Sequence, residues 1–177
     1  MRDPIKTKIS EPYPIIEESE IINGFGRGSS ELGIPTANIP ISSNLNKLDP
    51  GIYFGFSKLI PVSKDLETKK RSDGHLVEFN HGANLSGEET CVFPMVMSIG
   101  YNPFYNNTEK TAEVHIIHKF QDNFYGAKIK HAVLGYIRPE LNYTTKEALI
   151  EDINLDIEMA LRALESSEYN QYKHKIL

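Results

Sequence analysis

The 177-residue chain has room for one ordinary domain, and its 40% hydrophobic content is enough apolar mass for a real core. A net charge of −5, with Lys and Arg scattered rather than clustered, argues against a nucleic-acid or anionic-membrane partner, so any bound phosphate has to be held locally. No run approaches the ~20 apolar residues of a membrane-spanning helix, and the polar, proline-broken start does not read as a signal peptide. The single cysteine, Cys91, cannot form an internal disulfide; it is expected to be a small buried residue in a cytoplasmic protein.

The first strand-sized run, 15–22, leads into GFGRGSSELGIPTAN at 24–38. Gly24, Gly26 and Gly28 let backbone amides approach an anion closely, as a phosphate-cradling loop requires. On the glycines alone, a tight turn is the simpler reading. A Walker A loop is excluded by the missing Lys-Ser/Thr ending, and a dinucleotide fingerprint by Ser29 at its third glycine. Thr36 and Asn38, two residues apart, share a face of an extended segment and offer two hard neutral oxygens, a pair suited to Mg²⁺ that arrives mainly on ATP phosphates. On these residues alone, hydrogen bonding of both side chains to the neighbouring turn is the simpler reading.

Further strands are expected at 51–60, 91–100, 112–120 and 128–138, with Gly, Pro and Asn breakers and no intervening helix, which favours antiparallel pairing. Between the first two, 61–89 is polar and without periodicity, and reads as a surface insertion. In TAEVHIIH at 111–118, Glu113 is unusual inside a strand. It fits a base for a hydroxyl substrate, and a solvent-facing Glu on an edge strand accounts for it equally well. His115 and His118 point to opposite faces of a strand, which argues against a zinc pair.

The turn GYIRPELNY at 135–143 carries Arg138 and Tyr143, whose flat groups suit a clamp on a conjugated ring; pairing of Arg138 with Glu140 is equally open. Beyond it, Leu149, Ile150, Ile153, Ile157, Leu161 and Leu164 form a helical stripe. Thr144 with Glu147 gives a capping box at its start, and the helix frays near Glu165 into a polar tail at 165–177.

Taken together, GFGRGSSELGIPTAN, GIYFGF, SIGYNPFY, EVHIIH, FYG at 124–126 and GYIRPE occur in the order seen in eukaryotic riboflavin kinases, which the chain resembles from about residue 21 to 164. The resemblance implies an all-β core, a six-stranded antiparallel Greek-key barrel with a C-terminal helix. It also implies transfer of the ATP γ-phosphoryl group to the 5′-hydroxyl of riboflavin to give FMN. On this basis Gly24, Gly26, Arg27, Gly28 and Ser30 bind the ATP phosphates, and Ile116, His118 and Tyr125 contact the nucleotide. Thr36 and Asn38 hold Mg²⁺, with Zn²⁺ or another divalent ion left open. Glu113 is the catalytic base, and Arg138, Leu141 and Tyr143 contact the flavin. The expected partners are riboflavin/FMN and ATP/ADP, with no nucleic acid, in a single domain spanning 1–177 that works as a monomer. Location in the cytoplasm leaves organelle association open. A second, adenylyltransferase domain has no stretch to occupy. The rival reading of another class is a passive flavin- or nucleotide-binding barrel.

Overall fold

The computed structural model describes residues 2–22, 36–70, 74, 76–101, 109–120, 124–141 and 143–177. Its strands are β1 (Ile15–Glu20), β2 (Ala37–Ile39), β3 (Gly51–Ile60), β4 (Glu67–Lys70), β5 (Leu76–Phe79), β6 (Val92–Tyr101), β7 (Lys110–Ile116) and β8 (Lys128–Arg138). The helices are α1 (Ser43–Asn46), α2 (Lys146–Leu164) and α3 (Ser167–Asn170). Six strands form one sheet in the order β1-β8-β3-β6-β7-β2, every pair antiparallel. Strands β3, β6 and β7 run as a meander and β8 returns beside β3, which is a Greek key. The sheet curls until its edges meet at one bridge, Ile22 to Asn38, where the Ile22 N–H donates to the Asn38 carbonyl at 2.8 Å.

The curl separates two cores. Tyr53, Leu59, Met95, Met97, Ile99, Val114, Ile129 and Val133 fill the inside. Phe54, Phe56, Val96, Leu134 and Ile137 cover the other face, beneath Ala160 and Leu164 of α2 and Tyr169 of α3. Strand β3 is therefore buried on both faces, which is why GIYFGFSKLI reads as a nearly continuous apolar run rather than an alternation. Burying each large side chain contributes about 1.5–3 kcal/mol.

Several local expectations shift. Helix α2 is capped by Thr145, whose side chain accepts from the Ala148 N–H at 3.1 Å, one residue later than Thr144; Glu147 then lies in the first turn without completing a capping box. The buried stripe of α2 is also rotated, because Leu161 is exposed and Asp156, Ala160 and Leu164 face the sheet. Residues 167–176, read as part of a polar tail, fold back as α3 and a 3₁₀ turn that bury Tyr169 and Ile176. Tyr172 packs beside them, and three apolar residues so irregularly spaced give no periodic signal. Cys91 is exposed just before β6 rather than buried. Within 61–89, β4 and β5 form a separate hairpin, and the chain after it docks through His81, whose N–H donates to the Tyr125 carbonyl at 2.9 Å.

On the inner face His131 of β8 lies in register with Glu17 of β1 and Ser57 of β3, fully buried. Burial pushes its imidazole down to about 4 against the opposing pull of Glu17. The unfolded chain, with an ordinary imidazole near 6.5, takes up a proton that the folded chain refuses. Stability from this group is thus complete above pH ~6.5 and falls by up to about 3 kcal/mol as pH drops toward 4. Urea midpoints at pH 7 and pH 4.5 should fall less in His131→Gln than in wild type; equal falls would contradict this account.

Candidate active site

Strand register assembles the site. Asn38 of β2 lies opposite Glu113 of β7, Glu113 opposite Ser98 of β6, Ser98 opposite Ile52 of β3, and Ile52 opposite Arg138 of β8. Directly opposed residues share a face, so this is one row across five strands. Glu113 and Arg138 stand three strand spacings apart, about 14 Å of sheet. Arg138 joins the row because the β3–β8 ladder shifts register between Ile52 and Tyr53: Tyr136 pairs with Tyr53 on the inner side, Ile137 is the extra residue, and Arg138 turns outward. Strict alternation would have sent Arg138 to the side of Tyr136.

At the Glu113 end, Thr36 and Asn38 bracket the fully buried Ala37. Thr36 immediately precedes β2, and Asn38 within it lies directly opposite Glu113, on the same face. A hydroxyl, a carboxamide oxygen and a neighbouring carboxylate are hard donors that fit a divalent ion such as Mg²⁺ which keeps waters and phosphate oxygens as its other ligands. A second carboxylate reaches this face: Glu140 lies against Gly100 of β6, where a Cβ would sit 2.0 Å from its Oε1. Gly100 is two residues from Ser98 and opposite Thr111 of β7. The bare glycine leaves that space for Glu140.

At the Arg138 end, the guanidinium donates to Asp156 of α2 through Nε at 2.8 Å and through a terminal nitrogen at 2.9 Å, instead of pairing with Glu140. Burial lowers the Arg138 pKa, and the hydrogen bonds and charge of Asp156 more than restore it, so the group is held above its ordinary value. The Tyr143 ring lies 5.8 Å from the Arg138 Cζ, and its hydroxyl donates to Asp152 Oδ2 at 2.6 Å. Burial, reinforced by that hydrogen bond, pushes the phenol up to about 12. Arg138 and the exposed Leu141 line a cavity of about 940 Å³ with Tyr136, Asp152 and the N-terminal segment from Arg2 to Tyr13.

The residues proposed for the nucleotide lie at the end of β7, just beyond it, and in the turn before β8. Ile116 is buried in the inner core, so its side chain is unavailable, and its carbonyl accepts the His118 N–H at 2.8 Å. His118 lies beyond the end of β7 and stacks on Phe93 with centroids 4.2 Å apart. Tyr125 packs on Phe79 at 5.7 Å. The turn that carries Tyr125 is tied to the chain just before the glycine-rich stretch, through Gly126 N–H to Ile21 O at 3.0 Å and Ile21 N–H to Ala127 O at 2.8 Å. Gly126 has φ +85° and leaves no room for a Cβ beside His81, so glycine is required there. Gly24, Gly26, Arg27, Gly28 and Ser30 lie outside the described residues.

Sequence reasoning overlooked Ser98, Asp152, Asp156 and the placement of Glu140. Asp156 left one signal, a charged residue within an apolar helical stripe one turn after Asp152. No cluster of three or more His, Cys, Asp or Glu able to hold a metal occurs among the described residues.

The fold is a small antiparallel barrel that sets the carboxylate of Glu113 opposite Asn38 and a guanidinium, Arg138, three strands away on the same face. The family model described as riboflavin kinase (flavokinase) matches residues 11–164. Riboflavin kinase from Scheffersomyces stipitis is 62% identical over 169 residues, covering 96% of this chain and 95% of its own length. That from Meyerozyma guilliermondii is 60% identical over 172 residues, covering 97% and 96%. The crystal structure of riboflavin kinase from Trypanosoma brucei shares the fold, with a TM-score of 0.63 at 21% identity over 93% of this chain and 88% of that one. The chain belongs to the riboflavin kinase family.

Proposed function

We propose that this protein phosphorylates riboflavin, transferring the γ-phosphoryl group of ATP to the 5′-hydroxyl to give FMN and ADP. The observation that carries this reading is the unbroken row from Asn38 through Glu113 to Arg138. A substrate whose reactive hydroxyl is separated from a flat ring by a sugar-alcohol chain spans such a row, with the hydroxyl at Glu113 and the ring near Arg138, Leu141 and Tyr143. Glu113 orients the 5′-hydroxyl and accepts its proton as the new oxygen–phosphorus bond forms. The bond from the γ-phosphorus to the bridging oxygen breaks, and ADP leaves with that electron pair.

The glycine-rich stretch Gly24–Ser30 cradles the ATP phosphates with backbone amides, while His118, Tyr125 and the main chain at Ile116 form the nucleotide rim. Thr36 and Asn38 hold Mg²⁺, which when bound neutralises polyphosphate charge. Positioning does most of the remaining catalysis. Residues 1–177 act as one domain, as a monomer and in the cytoplasm on this reading. No helix among the described residues is long and apolar enough to cross a membrane.

Incubation with riboflavin, ATP and Mg²⁺ should yield FMN and ADP in equal amounts. A passive flavin-binding barrel would yield neither. Thr36→Ala should raise the Mg²⁺ concentration for half-maximal rate on the order of tenfold, equivalent to about 1.4 kcal/mol. An unchanged Mg²⁺ titration would remove Thr36 from the metal.

A further inference from the structure

Arg2 lies ahead of the segment 11–164 matched by the family model, yet it reaches the centre of the Arg138 end of the site. One terminal nitrogen of Arg2 donates to Asp156 Oδ1, the oxygen that also accepts Arg138 Nε. The other donates to Asp152 Oδ1 at 2.9 Å and to the Asp152 carbonyl at 3.2 Å. Asp152 and Asp156 stand one helical turn apart on α2, and each holds one proposed flavin contact: Asp156 holds Arg138 and Asp152 holds Tyr143.

Two like charges at this spacing repel each other, and Asp156 is only 1% exposed, so water screens that repulsion poorly. Two carboxylates and two guanidiniums balance. With Arg2 absent, Arg138 would face both carboxylates alone and be drawn away from a single orientation. The planar fork of arginine is the side chain that can bridge both at once. The segment carrying it is anchored independently, since Ile5 and Ile9 pack in the outer core and the Tyr169 hydroxyl donates to the Lys6 carbonyl.

We propose that Arg2 is a positioning residue for riboflavin: acting through Asp156 and Asp152, it fixes the Arg138 guanidinium and the Tyr143 ring in the orientation that receives the flavin. This rests on the reading of Arg138 and Tyr143 as flavin contacts. Arg2 touches no reacting atom, so its effect is on substrate binding and not on the chemical step.

The test uses the full chain carrying Arg2→Ala, Arg2→Lys or Arg138→Lys, with kcat, both KM values and thermal midpoints measured. Arg2→Ala should raise the riboflavin KM on the order of tenfold, leaving the ATP KM and kcat within about twofold. Arg2→Lys, which keeps the charge and loses the fork, should recover part of that rise. An unchanged riboflavin KM in Arg2→Ala, or a loss of kcat and both KM values together that follows the thermal midpoint, overturns the proposal. If Arg2→Ala is too unstable to assay, Arg2→Lys decides: a riboflavin-specific rise supports it and no change overturns it. Arg138→Lys separates the two readings. If it alters the riboflavin KM while Arg2→Ala does not, only the role of Arg2 falls; if it leaves that KM unchanged, the flavin assignment itself falls.

Discussion

Replacing Glu113 by Gln should lower kcat by about 10²–10⁴-fold while ATP affinity stays within about twofold, the scale of removing a general base. The substitution is nearly isosteric, and Glu113 sits between Asn38 and Ser98 on a strand paired on both sides, so the backbone has no reason to move. What the variant removes is the proposed proton acceptor. Phosphoryl transfer is often loose, with little nucleophile bonding early on, so part of the fall would reflect lost orientation of the hydroxyl. Raising pH should rescue little of it, because Gln cannot ionise. Single-turnover rates and nucleotide titration check both halves of the expectation; near-normal turnover would remove Glu113 from the chemistry.

Asp156→Ala should destabilise the protein by about 3–5 kcal/mol, the range found when one partner of a buried ion pair is removed. Asp156 is 1% exposed and accepts from two guanidiniums, so the variant leaves Arg138, itself 7% exposed, without its principal counter-charge. Domains of ordinary stability have only 5–15 kcal/mol in total, so the effect would be plain in a denaturant midpoint. Asp156→Asn should cost less, since a carboxamide still accepts a hydrogen bond. A change under about 1 kcal/mol for the Ala variant would mean that the pair contributes little and that Arg138 finds other partners.

The long strands and α2 were legible because their signals are local. The bounds of β3 and β8 coincide with the apolar runs at 51–60 and 128–138, and α2 follows its stripe to within a residue or two. The convergence of Asn38 with Glu113 was suggested only by family resemblance, since nothing in residues 36–38 names a partner 75 positions away. Strand β2 itself is three residues long, too short for alternation to register. The outward turn of Arg138 depends on a register shift fixed by pairing with β3, which no reading of GYIRPE alone reveals. Asp156 defeated the periodicity argument because its compensation, Arg2 and Arg138, comes from remote parts of the chain. Leu161 was assigned inward for the same reason: the stripe was drawn through apolar residues, while the helix turned its acid to the sheet.

The seam of the barrel passes through Asn38. Its main-chain carbonyl closes the sheet onto Ile22 while its side chain shares a face with Glu113, so the residue that clasps the sheet is also the one proposed for the metal. Unfastening the seam would leave the Asn38–Glu113 pairing in place but free one side of the strand that carries the proposed metal position.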